Sequence, residues 1–323
     1  MLLDQAIRIG SLTAPNRLVM PPMQTSRTGF GAVTEELAAY YRDRAVKSRP
    51  GLIITEHSCI AESCRAAAGQ LSHAADDRIA GHRMLTDAIH EGGCLAMAQL
   101  NHAGSNGVGD PVSAGTLCIP AKPLGKRPRA LSADEIRRIE ELFADAAIRA
   151  VRAGYDGVEL HCAHAYLLNQ FYSPLTNKRS DAYGGSLENR LRVTLETLAC
   201  VRLAVGREVP IAVRLGGADY LPGGSTEEDA AEAGRLLEAA GADLLDLSGG
   251  MCFFTRPGHA EPGYFSSMSE KVKAAVSIPV LLTGGVKKPA EAEALLAGGK
   301  ADLIGVGRAL LKNASWRTDE AEN

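Results

Sequence analysis

The sequence predicts an α/β chain closed into a (β/α)8 TIM barrel, and three observations predict it. Short aliphatic runs recur eight times, each separated from the next by a stretch of helix-forming residues. The runs are almost continuously apolar, as strands buried on both faces must be. A length of 323 residues suits one such barrel. A doubly wound open sheet would share the alternation and is the competing architecture.

Taken in order, residues 5–17 precede the first run and are expected to form a small hairpin that closes the barrel floor. The runs follow as LVMPP (18–22), LIITE (52–56), CLAMAQL (94–100), DGVEL (156–160), PIAVRL (210–215), DLLDLS (243–248), IPVLLTG (278–284) and DLIGVG (302–307). The helices between them announce their starts. Ser132 with Glu135 three residues on precedes IRRIEELFADAAIRAV, and Thr226 with Asp229 precedes AAEAGRLLEAAG, both in capping-box spacing. Pro289 opens AEAEALLAGG at the position where its missing N–H costs nothing. Gly154, Gly241 and Gly298 fall at helix ends and suit left-handed caps. Residues 101–131, rich in Gly and Pro, interrupt the repeat after the third strand. An excursion of that length at a strand's C-terminal end is expected to form a lid or pocket wall. The whole chain, 1–323, is expected to be a single domain.

The formal net charge is −3 with acids and bases interspersed, so no basic face for nucleic acid is expected. No apolar run approaches 18 residues, and MLLDQAIRIG lacks the charged start and apolar core of a signal peptide. The chain is expected to be cytoplasmic, with no membrane partner. Its seven cysteines are odd in number and contain no CxxC pair, which points to reduced thiols rather than a disulfide framework or zinc site.

Residues just past each barrel strand converge on one face. Those positions here are Met23, Gln24 and Thr25; Glu56 and His57; Gln99 and His102; His161, His164 and Tyr166; Arg214; Ser248 and Gly249; Gly284 and Gly285; Gly307 and Arg308. The set is far more polar than a packing layer needs. LTGG (282–285) and GVGR (305–308) bring backbone N–H groups and an arginine to the loops after strands seven and eight, the usual phosphate seat of such barrels. Two of the chain's eight histidines stand in HCAHAYLLNQF, just where the fourth strand ends. Their spacing is open to a metal-binding reading, with His57 or His102 completing the set, and Tyr166 is open to a packing role.

The stretches PNRLVMPPM (15–23), ELAAYYRDRA (36–45), LIITE, QLNHAG (99–104), HCAHAYLLNQF with SPLTNKRSDAYGGSLENRLR, and the two glycine loops resemble, in order and over nearly the whole chain, the old yellow enzyme family of FMN-dependent ene reductases. The similarity is greatest to the branch that includes the barrel domain of 2,4-dienoyl-CoA reductase. This resemblance implies an FMN phosphate at Gly284, Gly285, Gly307 and Arg308, with Gln99 on the pyrimidine edge and Arg214 near N1 and O2. Pro22, Met23, Gln24 and His57 would complete the flavin's surroundings. It further implies that His161 and His164 donate hydrogen bonds to the carbonyl oxygen of an enone or enoate, and that Tyr166 supplies the proton for the α-carbon. Thr25 and Phe253 would touch that substrate, and Phe254, Tyr264 and the 101–131 excursion would shape the pocket.

Three positions depart from the family pattern: MQTS where threonine or cysteine is common near the flavin, His57 where a small residue is usual, and Ser105 where arginine is common. Cys252 is the last cysteine, so no iron–sulfur cluster is expected, and NADH or NADPH should reduce the flavin directly by a ping-pong route. The tail from Ala314 to Asn323, with the single Trp316, is expected to reach a neighbouring subunit of a homo-oligomer. Two other functions fit the glycine loops. One is an isomerase or lyase acting on a phosphorylated substrate, although no strand-end site holds an aldolase-type lysine; the other is flavin storage.

Overall fold

The structure is a computed structural model that describes residues 1–109, 111–116 and 126–317. The eight runs form β1 (Leu18–Met20), β2 (Leu52–Cys59), β3 (Leu95–Asn101), β4 (Gly157–Cys162), β5 (Ile211–Ala218), β6 (Leu244–Gly249), β7 (Val280–Thr283) and β8 (Leu303–Gly305). Each pairs in parallel with the next, and β1 pairs with both β8 (Gly305 opposite Val19) and β2 (Val19 opposite Leu52). That last pairing closes the cylinder and removes the open-sheet alternative. The helices between and after the strands are α1 (Glu35–Lys47), α2 (Ile79–His90), α3 (Ala133–Arg152), α4 (Leu187–Val205), α5 (Glu227–Ala239), α6 (Ser266–Ala275), α7 (Pro289–Ala297) and α8 (Arg308–Lys312).

The expected floor is present. Ile7–Ile9 pairs antiparallel with Leu12–Ala14, and Ile9 and Ala14 pack beneath Val19, Leu52, Ile54, Met97, Ala212, Leu244, Leu281 and Leu303 inside the cylinder. Because strand side chains alternate, the next inward residues above that apolar plug are Glu56, Gln99, Arg214, Asp246 and Thr283. The barrel interior therefore changes from dry to polar within one layer. That change places the site.

Both capping boxes form, Ser132 with Glu135 and Thr226 with Asp229. Gly154 and Gly241 take left-handed φ of 91° and 98°. Gly298 does not. As the C-cap it still donates to Ala294 O, with φ of −76°, so the reversal falls one residue later at Gly299, φ 68°. In the excursion, Gly104–Asn106 is a 3-10 turn and Val112–Ser113 pairs with Arg129–Ala130. These parts pack on the short helix Leu167–Tyr172 that follows β4. The rest of the expected lid, 117–125, lies outside the described residues.

The C-terminal segment folds back on its own barrel as far as Arg317. Trp316 is buried and its indole N–H donates to Lys287 O at 2.6 Å, beside the glycine loop after β7. Among the described residues, no helix is long and apolar enough to cross a membrane.

Candidate active site

A cavity of about 760 Å³ opens at the C-terminal ends of the strands. Pro22, Met23, Gln24, His57, Gln99, His161, His164, Tyr166, Arg214, Phe253, Gly284, Gly285, Gly307 and Arg308 all line it. Thr25 does not. Its hydroxyl and N–H donate to the two oxygens of Glu56 (2.7 and 3.2 Å), which turns it away from the cavity wall. His102 is likewise withdrawn, its Nδ1 accepting from Gly104 N–H.

The register between β2 and β3 shifts between Thr55 and Ser58, a bulge of the kind that re-aims side chains. It lets adjacent Glu56 and His57 both serve the upper end of the barrel. His57 Nδ1 faces the amide nitrogens of Gln70 (2.7 Å) and Asn101 (3.3 Å); the Gln70 oxygen is taken by Ala66 N–H, so its nitrogen donates to Nδ1 and the imidazole proton falls on Nε2. Burial and the nearby Arg214 push its pKa down to about 4.

His161 is the last residue but one of β4, and the chain then turns through His164 and Ala165 with successive left-handed φ of 57° and 58°. The strained pair is held from the following short helix. Ala165 N–H donates to Asn169 Oδ1 (2.9 Å), while its carbonyl accepts from Gln170 (2.5 Å) and Asn106 (2.8 Å). The turn swings His164 back over His161, ring centroids 5.1 Å apart, and sets Tyr166 5.0 Å from His161 and 5.3 Å from His57. His164 Nε2 lies 2.7 Å from Ser248 Oγ at the end of β6. Burial, with Arg214 nearby, holds both histidines well below the ordinary imidazole range, so they are neutral at physiological pH. Burial raises the Tyr166 phenol, which therefore keeps its proton. A left-handed alanine costs about 1 kcal/mol that glycine avoids. Ala165→Gly is thus expected to raise the thermal midpoint by about 1–2 °C. A lowered midpoint in scanning calorimetry would show that the strain has been misjudged.

Beneath the rings, Arg214 is buried with its Nε 3.3 Å from Asp246 Oδ2, and Asp246 Oδ1 accepts from Thr283 Oγ1–H (3.3 Å). Gln99 Nε2 donates to the fully buried Glu159 at 2.9 Å. Among the described residues, His161 Nδ1, Arg214 Nε, Glu159 Oε2 and Asp246 Oδ2 are buried without a hydrogen-bond partner. At the other end, a Cβ on Gly284 would stand 2.7 Å from the Tyr264 ring, and one on Gly285 2.4 Å from Glu261 O. Only glycine lets that loop pass so close under its neighbours, leaving backbone at the cavity wall. Arg308, Lys312 one turn later on α8, and Lys287 line the same end, and no carboxylate side chain lines the cavity among the described residues. Among those residues, no three His, Cys, Asp or Glu side chains are grouped as a metal would require.

Several contributors carried no local signal. Gln70 is 13 residues from the histidine it orients, and Ser248 is 84 from His164. Lys287 and Lys312 were legible, since one lies two residues past the first glycine loop and the other one helical turn past the second.

The face thus joins backbone and cations at the glycine end to a buried Arg214 paired with Asp246 and to neutral imidazoles above them. That combination stands at the end of the barrel where such folds carry their chemistry. Residues 3–322 match the NADH:flavin oxidoreductase / NADH oxidase family, and the chain belongs to that FMN-binding family. It is 38% identical over 321 residues to an NADH oxidase of Thermoanaerobacter brockii, covering 96% of this chain and 49% of that protein. Among solved structures, 2-naphthoyl-CoA reductase in complex with 2-naphthoyl-CoA superposes with a TM-score of 0.92 at 27% identity, over 99% of this chain and 52% of that one. An old yellow enzyme homologue from Zymomonas mobilis superposes with a TM-score of 0.85 at 28% identity, over 99% of this chain and 92% of that one. The chain thus spans about half the length of the first two proteins and nearly all of the third.

Proposed function

We propose that residues 1–323 act as one FMN-binding unit that takes a hydride from NADH or NADPH and passes it to the C=C bond of an α,β-unsaturated carbonyl compound, in a ping-pong cycle at one face. The observation that carries this reading is the convergence of His161, His164 and Tyr166 over Gln99 and Arg214, in one cavity with the glycine loops. FMN, when bound, supplies a centre that accepts and returns a hydride. The remaining work falls to the chain. Gly284, Gly285, Gly307 and Arg308 hold the phosphate, Gln99 pairs with the pyrimidine edge, and Arg214 balances negative charge there. His161 and His164, both neutral, aim N–H groups at the substrate's carbonyl oxygen as charge develops on it. Tyr166 O–H delivers a proton to the α-carbon.

Since the imidazoles are neutral well above their lowered pKa values and the phenol stays protonated below its raised one, kcat/KM for an enone should be flat from about pH 6 to about pH 9. An inflection near 6.5 would mean that a histidine titrates during turnover, against the assigned roles. The deciding experiment is a visible spectrum of the purified protein, followed anaerobically by NADH or NADPH and then 2-cyclohexenone. Flavin bands that bleach and then return support the reading. A colourless protein that cannot be loaded with FMN would assign the glycine loops to another phosphate and bring an isomerase or lyase forward.

A further inference from the structure

Beneath the cavity the barrel encloses one guanidinium, Arg214 on β5, and three carboxyl groups: Glu56 on β2, whose oxygens accept from Thr25, and Asp246 on β6 and Glu159 on β4, which group with Arg214. Glu159 and Asp246 are each 0% exposed. Were Arg214, Asp246 and Glu159 all ionised, a net negative charge would be buried with Glu159 Oε2 unpartnered, a costly arrangement that a single retained proton relieves. The imidazoles above, His57, His161 and His164, are neutral and bring no further positive charge.

Geometry decides which carboxyl keeps the proton. Asp246 has the cation at 3.3 Å and a hydroxyl donor from Thr283. Glu159 touches only the neutral amide of Gln99, at 2.9 Å, and has no ion pair among the described residues. Burial and the charge of Asp246 both push the Glu159 carboxyl well up, in agreement with that assignment. Gln99 in turn lines the cavity, so the carboxyl group that takes one of its N–H groups sets which way its amide faces.

We propose that Glu159 is a positioning residue held as a neutral acid: it orients the Gln99 amide toward the flavin's pyrimidine edge and leaves the Arg214 charge shared with Asp246 alone. A neutral acid can do this without adding negative charge next to the ring, whereas a carboxylate would oppose the charge that reduction delivers there. The flavin part of this inference rests on the function proposed above.

The test compares the wild-type protein with Glu159→Gln and Glu159→Leu. Infrared spectra of the flavin-free proteins at pH 7 should show a protonated carboxyl C=O band in the wild type that Glu159→Gln lacks. FMN titration of the flavin-free proteins should give Glu159→Gln a Kd within about threefold of wild type, and Glu159→Leu one at least about tenfold weaker, because the Gln99 N–H then loses its acceptor. The flavin's reduction potential should be the same in wild type and Glu159→Gln. A wild type without the carboxyl band, or a potential that rises in Glu159→Gln, would mean that Glu159 is ionised and overturns the proposal. Wild-type FMN affinity in Glu159→Leu would overturn the positioning role. If Glu159→Leu does not fold, the comparison with Glu159→Gln still decides. Failure of every protein to take up FMN would count against the proposed function and leave the infrared result standing.

Discussion

Replacing Tyr166 with phenylalanine is expected to slow reoxidation of the reduced protein by an enone by about 10²–10⁴-fold, and to leave bleaching by NADH or NADPH near the wild-type rate. The split follows from position. Tyr166 opens the short helix Leu167–Tyr172, its ring packs against those of His57 and His161, and burial keeps its hydroxyl protonated. Phenylalanine preserves the packing and removes only the proton. Anaerobic stopped-flow measurements on the two half-reactions separate the effects. Equal reoxidation rates in the variant and the wild type would mean that the α-carbon takes its proton from water.

The second large effect concerns stability as well as flavin. Arg214→Leu should destabilise the flavin-free protein by about 3–5 kcal/mol, because Asp246 would remain buried without its cation. Burial already pushes the Asp246 carboxyl up to about 6 with Arg214 beside it, and without that cation the folded Asp246 must stay protonated, its pKa raised further above that of the unfolded chain. Stability is therefore retained at low pH and lost as pH rises from about 4 toward 8. Removing both partners, in Arg214→Leu/Asp246→Leu, should recover most of the loss and flatten the pH dependence, since no buried charge is then left over. Neither variant should hold FMN at wild-type affinity. Urea unfolding at several pH values would decide it. A single variant as stable as the wild type would show that Arg214 contributes nothing to the fold and acts on the ligand alone.

Much of this was written in local pattern. The eight aliphatic runs, the Ser132 and Thr226 boxes and Pro289 each depend on neighbours a few residues away, and all eight strands and all three helix starts stand where those patterns put them. The strand ends were less legible. β2 continues through His57 to Cys59 because a bulge accommodates polar residues that, read as pattern, end a strand. Gly298 was misplaced as the left-handed residue for a similar reason, since one further hydrogen bond decides where a helix turns.

The site divides in the same way. That polar residues gather past the strands, and that glycine loops follow the last two of them, follows from period and spacing alone. What those residues do to one another required the closed barrel. Thr25 is adjacent in sequence to Gln24, yet Glu56, 31 residues on, turns it away. Glu159 reads as one polar residue in the apolar run DGVEL, and only the pairing of β3 with β4, of β4 with β5 and of β5 with β6 brings it against Gln99 and near Arg214 and Asp246. By itself, then, the sequence determined the barrel, its active face and the residue types placed there, because periodicity and capping are short-range. The tertiary structure alone decided which side chains face the cavity, which carboxyl keeps a proton and which histidines stay neutral, because burial and Coulomb interaction act between residues that are distant in sequence until the sheet closes.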